Sequence, residues 1–111
     1  MGKAGSGELV QGTLPLLILR ILATGPNHGF AIARRIHQVS NDVLKVEEGS
    51  LYPALHRLEV QGWIDSEWRA TGNNRNAKYY RLTRAGRKQL EREAARWNAI
   101  ADAIATVLRE A

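Results

Sequence analysis

The chain has 111 residues, no cysteine and a formal net charge of +5, with an isoelectric point near 10.1. That length gives one domain with a modest core and leaves room for part of the stability to come from a partner chain. The lack of cysteine excludes disulfides and thiolate metal sites, and the longest apolar run, Leu14 to Ala23, contains Arg20 and is too short to cross a bilayer.

Residues Met1 to Glu8 are small, polar and Gly-rich, without the apolar segment of a signal peptide. A flexible arm over residues 1–9 and a cytoplasmic protein are therefore expected, with no membrane partner. From Leu14 to Thr24 the chain is almost solidly aliphatic, which predicts a first helix buried on most of its circumference. Thr13 would be its N-cap, Pro15 would fall in the first turn, and Gly25-Pro26 would stop it.

Asn27 can cap a second helix running to about Ser40. Its apolar members Phe30, Ile32, Ala33, Ile36 and Val39 should pack inward while Arg34, Arg35, His37 and Gln38 face out. A connector, Asp42 to Glu47, leads to a third helix that starts around a Gly49 or Ser50 cap and ends at Gly62. There Leu51, Leu55 and Leu58 share one face, and Tyr52, His56, Arg57 and Glu59 point elsewhere. A small helix that presents Tyr, His and Arg outward suits a DNA groove, although most polar helix faces are merely solvated.

After Gly62, two runs rich in aromatic and β-branched residues, Trp63 to Arg69 and Ala77 to Thr83, flank Thr71-Gly-Asn-Asn-Arg-Asn76 and predict a hairpin. Between Trp68 and Leu90 lie Arg69, Arg75, Lys78, Arg81, Arg84, Arg87 and Lys88 with no acidic residue among them, a local field that attracts a polyanion. Thr83 can cap a last helix reaching about Arg109. Along it Leu90, Ala94, Trp97, Ala101, Ile104 and Leu108 alternate steps of four and three, a seam that needs something to pack against. That partner is either the helix's own domain or, the better reading, a second copy of the chain.

The expected fold class is thus mainly α with a small β-hairpin. It comprises a winged helix-turn-helix domain over residues 10–83 and a long C-terminal dimerisation helix over residues 84–111. His28, His37 and His56 are scattered and lack clustered carboxylates, so no metal site is expected. No nucleophile, base and oxyanion-donor set appears, and no Gly-rich phosphate loop follows a strand, which argues against an enzyme and against a cofactor.

Several segments together resemble one bacterial family: Gln11-Gly-Thr-Leu-Pro-Leu-Leu-Ile-Leu19, His28-Gly-Phe30, Gly49-Ser-Leu-Tyr-Pro-Ala-Leu-His-Arg-Leu58, Gly62-Trp-Ile64 and Asn74-Arg-Asn-Ala-Lys-Tyr-Tyr-Arg-Leu-Thr-Arg-Ala-Gly86. They are similar, in order and over almost the whole chain, to PadR-type transcriptional regulators, and the single terminal helix resembles the short subfamily. The resemblance implies a cytoplasmic, nucleoid-associated homodimeric repressor that binds double-stranded DNA. For Trp97 seam packing is the leading reading; the short subfamily's aromatic-lined dimer pocket offers stacking on a small aromatic or hydrophobic effector as the alternative, with a surface position the third. Carried over by position, Ser50, Tyr52, Pro53, His56 and Arg57 would lie on the recognition helix, with His28 beside it and Asn73, Asn74, Arg75 and Lys78 on or beside the wing. The sequence departs from the family at Phe30, where a tyrosine is usual, and at Pro15, where an acid is common. The competing readings are a winged helix that docks an acidic protein partner and an RNA-binding domain.

Overall fold

The computed structural model describes the backbone of residues 2–73 and 75–111, and side chains from Gly12 onward apart from Asn74. Four helices and three short strands follow one another as α1 (Gly2–Leu22), β1 (Asn27–His28), α2 (Gly29–Val39), α3 (Glu48–Val60), β2 (Ile64–Ala70), β3 (Asn76–Leu82) and α4 (Arg84–Glu110). The strands form one antiparallel sheet in the order β1-β3-β2. This is the winged helix-turn-helix arrangement with a long terminal helix. No helix among the described residues is long and apolar enough to cross a membrane.

The core lies where α1, α2 and α3 meet the sheet. Ile18, Leu19, Ile32, Leu51, Ala54, Leu55 and Ile64 are all at most 1% exposed, so the aliphatic steps of three and four in α1 and α3 interdigitate as one cluster. On α2 the pattern is narrower than its sequence predicts. Ile32 and Ile36 are buried, but Phe30 and Val39 are 56% and 59% exposed. Phe30 lies two residues before Ile32, about 200° round the helix and off the stripe that reaches the core, whereas Val39 shares the stripe of Ile32 and Ile36 but is the last residue of the helix, past the end of the core.

Helix boundaries also differ from expectation. Helix α1 begins at Gly2, so it takes in residues 2–9 expected as an arm, passes through Thr13 instead of being capped there, and carries Pro15 in its interior. Pro15 has no N–H to donate, and one intrahelical bond is missing at that turn. Asn27 does not cap α2; it pairs with Tyr80 as part of β1, and the cap is His28, whose Nδ1 accepts from the Ala31 N–H at 3.3 Å. Helix α3 starts at Glu48, ahead of both Gly49 and Ser50, with Glu47 at the cap position and no side-chain cap bond. Gly62 does end it. With φ at +79° it closes a Schellman turn in which Gly62 N–H donates to Glu59 O (3.0 Å) and Trp63 N–H to Leu58 O (3.1 Å).

Thr83 caps α4 as expected, its Oγ1 accepting from Gly86 N–H at 3.0 Å while donating to Gly62 O at 2.7 Å. The same junction draws α4 so close to the end of α3 that a Cβ on Gly86 would stand 1.9 Å from Trp63 O. Leu90, one turn on, is 8% exposed and belongs to the domain core. Expected on the dimer seam, it packs in this chain against the domain core, so the start of α4 helps to close that core. Replacing Gly86 by Ala should cost about 3 kcal/mol by forcing backbone apart. Gly49→Ala, where a Cβ meets nothing within 4 Å, should be neutral or stabilising by about 0.5 kcal/mol; paired urea titrations of the two variants check both.

Candidate nucleic-acid interface

Helix α3 buries Leu51, Ala54, Leu55 and Leu58 and turns Tyr52, Pro53, His56 and Arg57 to solvent, with Ser50 half-buried. The two faces are the direct result of steps of three and four along the apolar residues. Pro53 lies in the second turn, where it leaves a carbonyl of the first turn without its usual donor. Two contacts fix the axis of this helix. At its start the Tyr52 ring lies over Gly29, where a Cβ would come within 2.9 Å of Tyr52 Cε1 and 3.2 Å of its hydroxyl. At its end the Glu59 carboxylate accepts from the Ser66 hydroxyl and pairs with Lys78 Nζ at 3.5 Å.

The wing carries two different faces because directly paired residues on neighbouring strands share a side. Ile64 with Leu82, Ser66 with Tyr80 and Trp68 with Lys78 form the inner face toward α3; Asp65 with Arg81 and Glu67 with Tyr79 form the outer one. On the outer face Arg81 forks onto Asp65 at 3.0 and 3.3 Å. Arg69 donates to Glu67 at 2.9 Å and lies 4.7 Å above the Tyr79 ring. The basic run seen in the sequence is thus partly neutralised by acids brought across from β2 and α3. Arg84, Arg87 and Lys88 remain exposed, but they stand at the base of the wing, on the first turns of α4.

At the wing tip, Gly72 and Asn73 take left-handed φ values of +36° and +58°, so Asn73 has a conformational task in the turn. Asn74 lies outside the described residues. Arg75 is exposed and has no carboxylate within 4 Å among the described residues, whereas Lys78 is held by Glu59 and lies 5.6 Å from the Tyr80 ring centre. His28, expected beside the recognition helix, is half-buried, caps α2 through Nδ1 and meets the Tyr79 ring edge-on at 5.6 Å. An accepting Nδ1 leaves Nε2 as the protonated nitrogen of the neutral ring.

Burial above all, with the Glu59 carboxylate and Tyr52 adding to it, pushes the Tyr80 phenol above its ordinary value of 10.0. The folded state therefore favours the neutral phenol. Its contribution to stability is complete below pH 10 and is lost as pH rises through the folded value.

Along α4 exposure increases outward: Trp97 38%, Ile100 40%, Ile104 53%, Val107 60% and Leu108 79%. Ala94 and Ala101 on the same stripe are half-buried. Trp97 also lines a cleft of about 320 Å³ between α1 and α4, together with Leu16, Leu19, Trp63 and Ile100.

The family model described as the transcriptional regulator PadR-like family matches residues 18–92. The chain belongs to this family. It is 36% identical over 83 residues to a transcriptional regulator of Mycobacterium tuberculosis, covering 75% of this chain and 74% of that one. A PadR family transcriptional regulator from Eggerthella lenta has a solved structure that is 34% identical, with a TM-score of 0.78 over 94% of this chain and 88% of that one. A transcriptional regulator from Clostridium thermocellum superimposes with a TM-score of 0.81 at 26% identity, covering 89% and 96% of the two chains. This is a family of transcriptional regulators and not of enzymes.

Within this PadR fold, reasoning from sequence placed Tyr52, Pro53, His56 and Arg57 together on one face, as found. It grouped Glu59 with the outward residues; in the fold Glu59, next to Leu58 and four residues after Leu55, is half-buried against Ser66 and Lys78, with no local sign that two strand residues would close on it. It also treated Arg75 and Lys78 alike as wing cations for phosphate. The geometry separates them: Arg75→Gln should shallow the slope of log K against log salt for duplex DNA by about one unit, and Lys78→Gln by well under one. A nitrocellulose or anisotropy titration over salt reads both.

Proposed function

We propose that this PadR-family protein is a sequence-specific DNA-binding repressor that acts as a homodimer on a pseudo-palindromic operator. The observation that carries the reading is the exposed Tyr52, Pro53, His56 and Arg57 face of α3 beside a hairpin whose Arg75 has no carboxylate within 4 Å among the described residues. His56 and Arg57 enter the major groove. Ser50, Tyr52 and the Nε2 side of His28 hold phosphates, where they set register without reading bases. Asn73, Asn74 and Arg75 attach the wing to backbone or minor groove, with Lys78 as a weaker contributor.

Residues 10–83 are the DNA-binding unit and residues 84–111 the dimerisation helix. The apolar stripe that supports dimerisation runs through Ala94, Trp97, Ala101, Ile104 and Leu108, and Ile104 and Leu108 in its outer part are exposed among the described residues. Two-fold pairing would set the recognition helices about 34 Å apart, one turn of duplex. The Trp97 cleft is the place for a small aromatic or hydrophobic effector, which acts only if it binds the DNA-competent and incompetent arrangements with different affinity.

Selection from random duplex DNA, followed by salt titration, tests this reading. Enrichment of an inverted repeat is the expected result. Equal affinity for all duplexes would favour a protein-docking module, and tighter binding to single strands or loops would favour RNA. On the enriched site Arg57→Ala should lose about 1 to 3 kcal/mol and relax preference at one base pair per half-site. In sedimentation, replacing Ile104 and Leu108 by Asp should shift the protein toward monomer while leaving the helical signal of the core in place.

A further inference from the structure

Three aromatic side chains stand unusually open to solvent at one place. Phe30, Tyr52 and Trp68 are 56%, 45% and 68% exposed, and all three line a single groove of about 400 Å³ between the start of α2, the start of α3 and the inner face of the wing. Asn76 and Lys78 lie on its wing side, and no carboxylate is among its lining residues. The Arg34 guanidinium stands 5.9 Å from the centre of the Phe30 ring. Arg34 is exposed and has no carboxylate within 4 Å among the described residues.

We propose that this groove seats one sugar-phosphate strand of duplex DNA next to the α3 face, with Phe30 and Trp68 packed on deoxyribose and Arg34 on a phosphate. The proposal rests on the DNA-binding reading of α3 and extends it to residues off that helix. Continuity carries it: Tyr52 belongs both to the α3 face and to the groove wall, so a strand that touches Tyr52 from one side runs directly into the groove. Chemistry agrees. A backbone strand alternates apolar sugar faces with anionic phosphates, and the groove sets bare rings beside the Arg34 guanidinium that stands over Phe30. Phe30 has no hydroxyl to donate to a phosphate, but its ring face steadies a guanidinium that can. A second copy of this chain, itself carrying +5, is a poor occupant for a groove flanked by Arg34.

The test uses the full-length protein and a duplex enriched by selection. Trp68→Ala and Phe30→Ala should each weaken binding about tenfold at fixed salt, with the salt slope unchanged because no phosphate contact is lost. Arg34→Gln should reduce that slope by about one. Hydroxyl-radical footprinting, which reports access to deoxyribose, should show protected sugars beside the bases read by α3, and Trp68→Ala should expose those sugars alone. Wild-type affinity and an unchanged footprint for Trp68→Ala and Arg34→Gln, with Arg57→Ala still weakened, would overturn the groove while leaving α3 as the reading element. Failure of the wild type to enrich any duplex would remove the reading on which the groove depends. Because Arg34 is exposed and outside the core, its variant keeps the test decisive even if truncation at Trp68 disturbs the fold.

Discussion

The display of α3 depends on its being held at both ends over a core that leaves it no freedom to roll. Leu51, Ala54, Leu55 and Leu58 fix which way the helix faces, since each is 2% exposed or less. The Tyr52 ring on Gly29 and the Glu59 carboxylate on Ser66 and Lys78 fix where it points. A core of aliphatic side chains alone is tolerant of small rotations; a ring lodged against a glycine backbone and a carboxylate shared by two strand residues are directional. Rotation by one residue, about 100°, would carry Tyr52 off Gly29 and turn Leu51 into solvent.

The same arrangement ties the wing to the recognition helix. Glu59 takes a hydroxyl from β2 and an ammonium from β3, which links the hairpin to α3, and Thr83 and Gly86 join the base of that hairpin to α4. A change at the tail helix therefore has a mechanical route to the DNA-facing surface: α4 to Thr83, Thr83 to the Gly62 turn, and that turn to the last residues of α3. The cleft around Trp97 opens onto the first half of α4, on the near side of this junction.

Charge shows how far linear order can mislead. Read along the chain, residues 69–88 form an uninterrupted basic stretch. In the fold Asp65, Glu67 and Glu59 are laid against Arg81, Arg69 and Lys78. Of that stretch Arg75 is left at the wing tip and Arg84, Arg87 and Lys88 at its base, while Arg57 on α3 and Arg34 beside Phe30 come from elsewhere in the chain. Exposed ion pairs of this kind add little to stability, but they decide which cations are left to meet a polyanion.

The sequence by itself determined what depends on local spacing: the helices, the hairpin and its loop, the Gly62 stop, the Thr83 cap, and the polar face of α3 with Tyr52, His56 and Arg57 outward. These follow from the 3.6- and 2-residue periods and from capping chemistry, which act over a few neighbours. Only the tertiary structure decided that Asn27 and His28 form a strand, that Phe30 and Val39 stay out of the core, that Leu90 lies inside it, and that Glu59 silences Lys78. Each of those depends on which distant surface arrives opposite the residue, and on how much of a helix's circumference that surface can cover. An apolar residue is buried only if a neighbour reaches it, and a cation is free only if no acid does; neither condition is written in the residues alongside it.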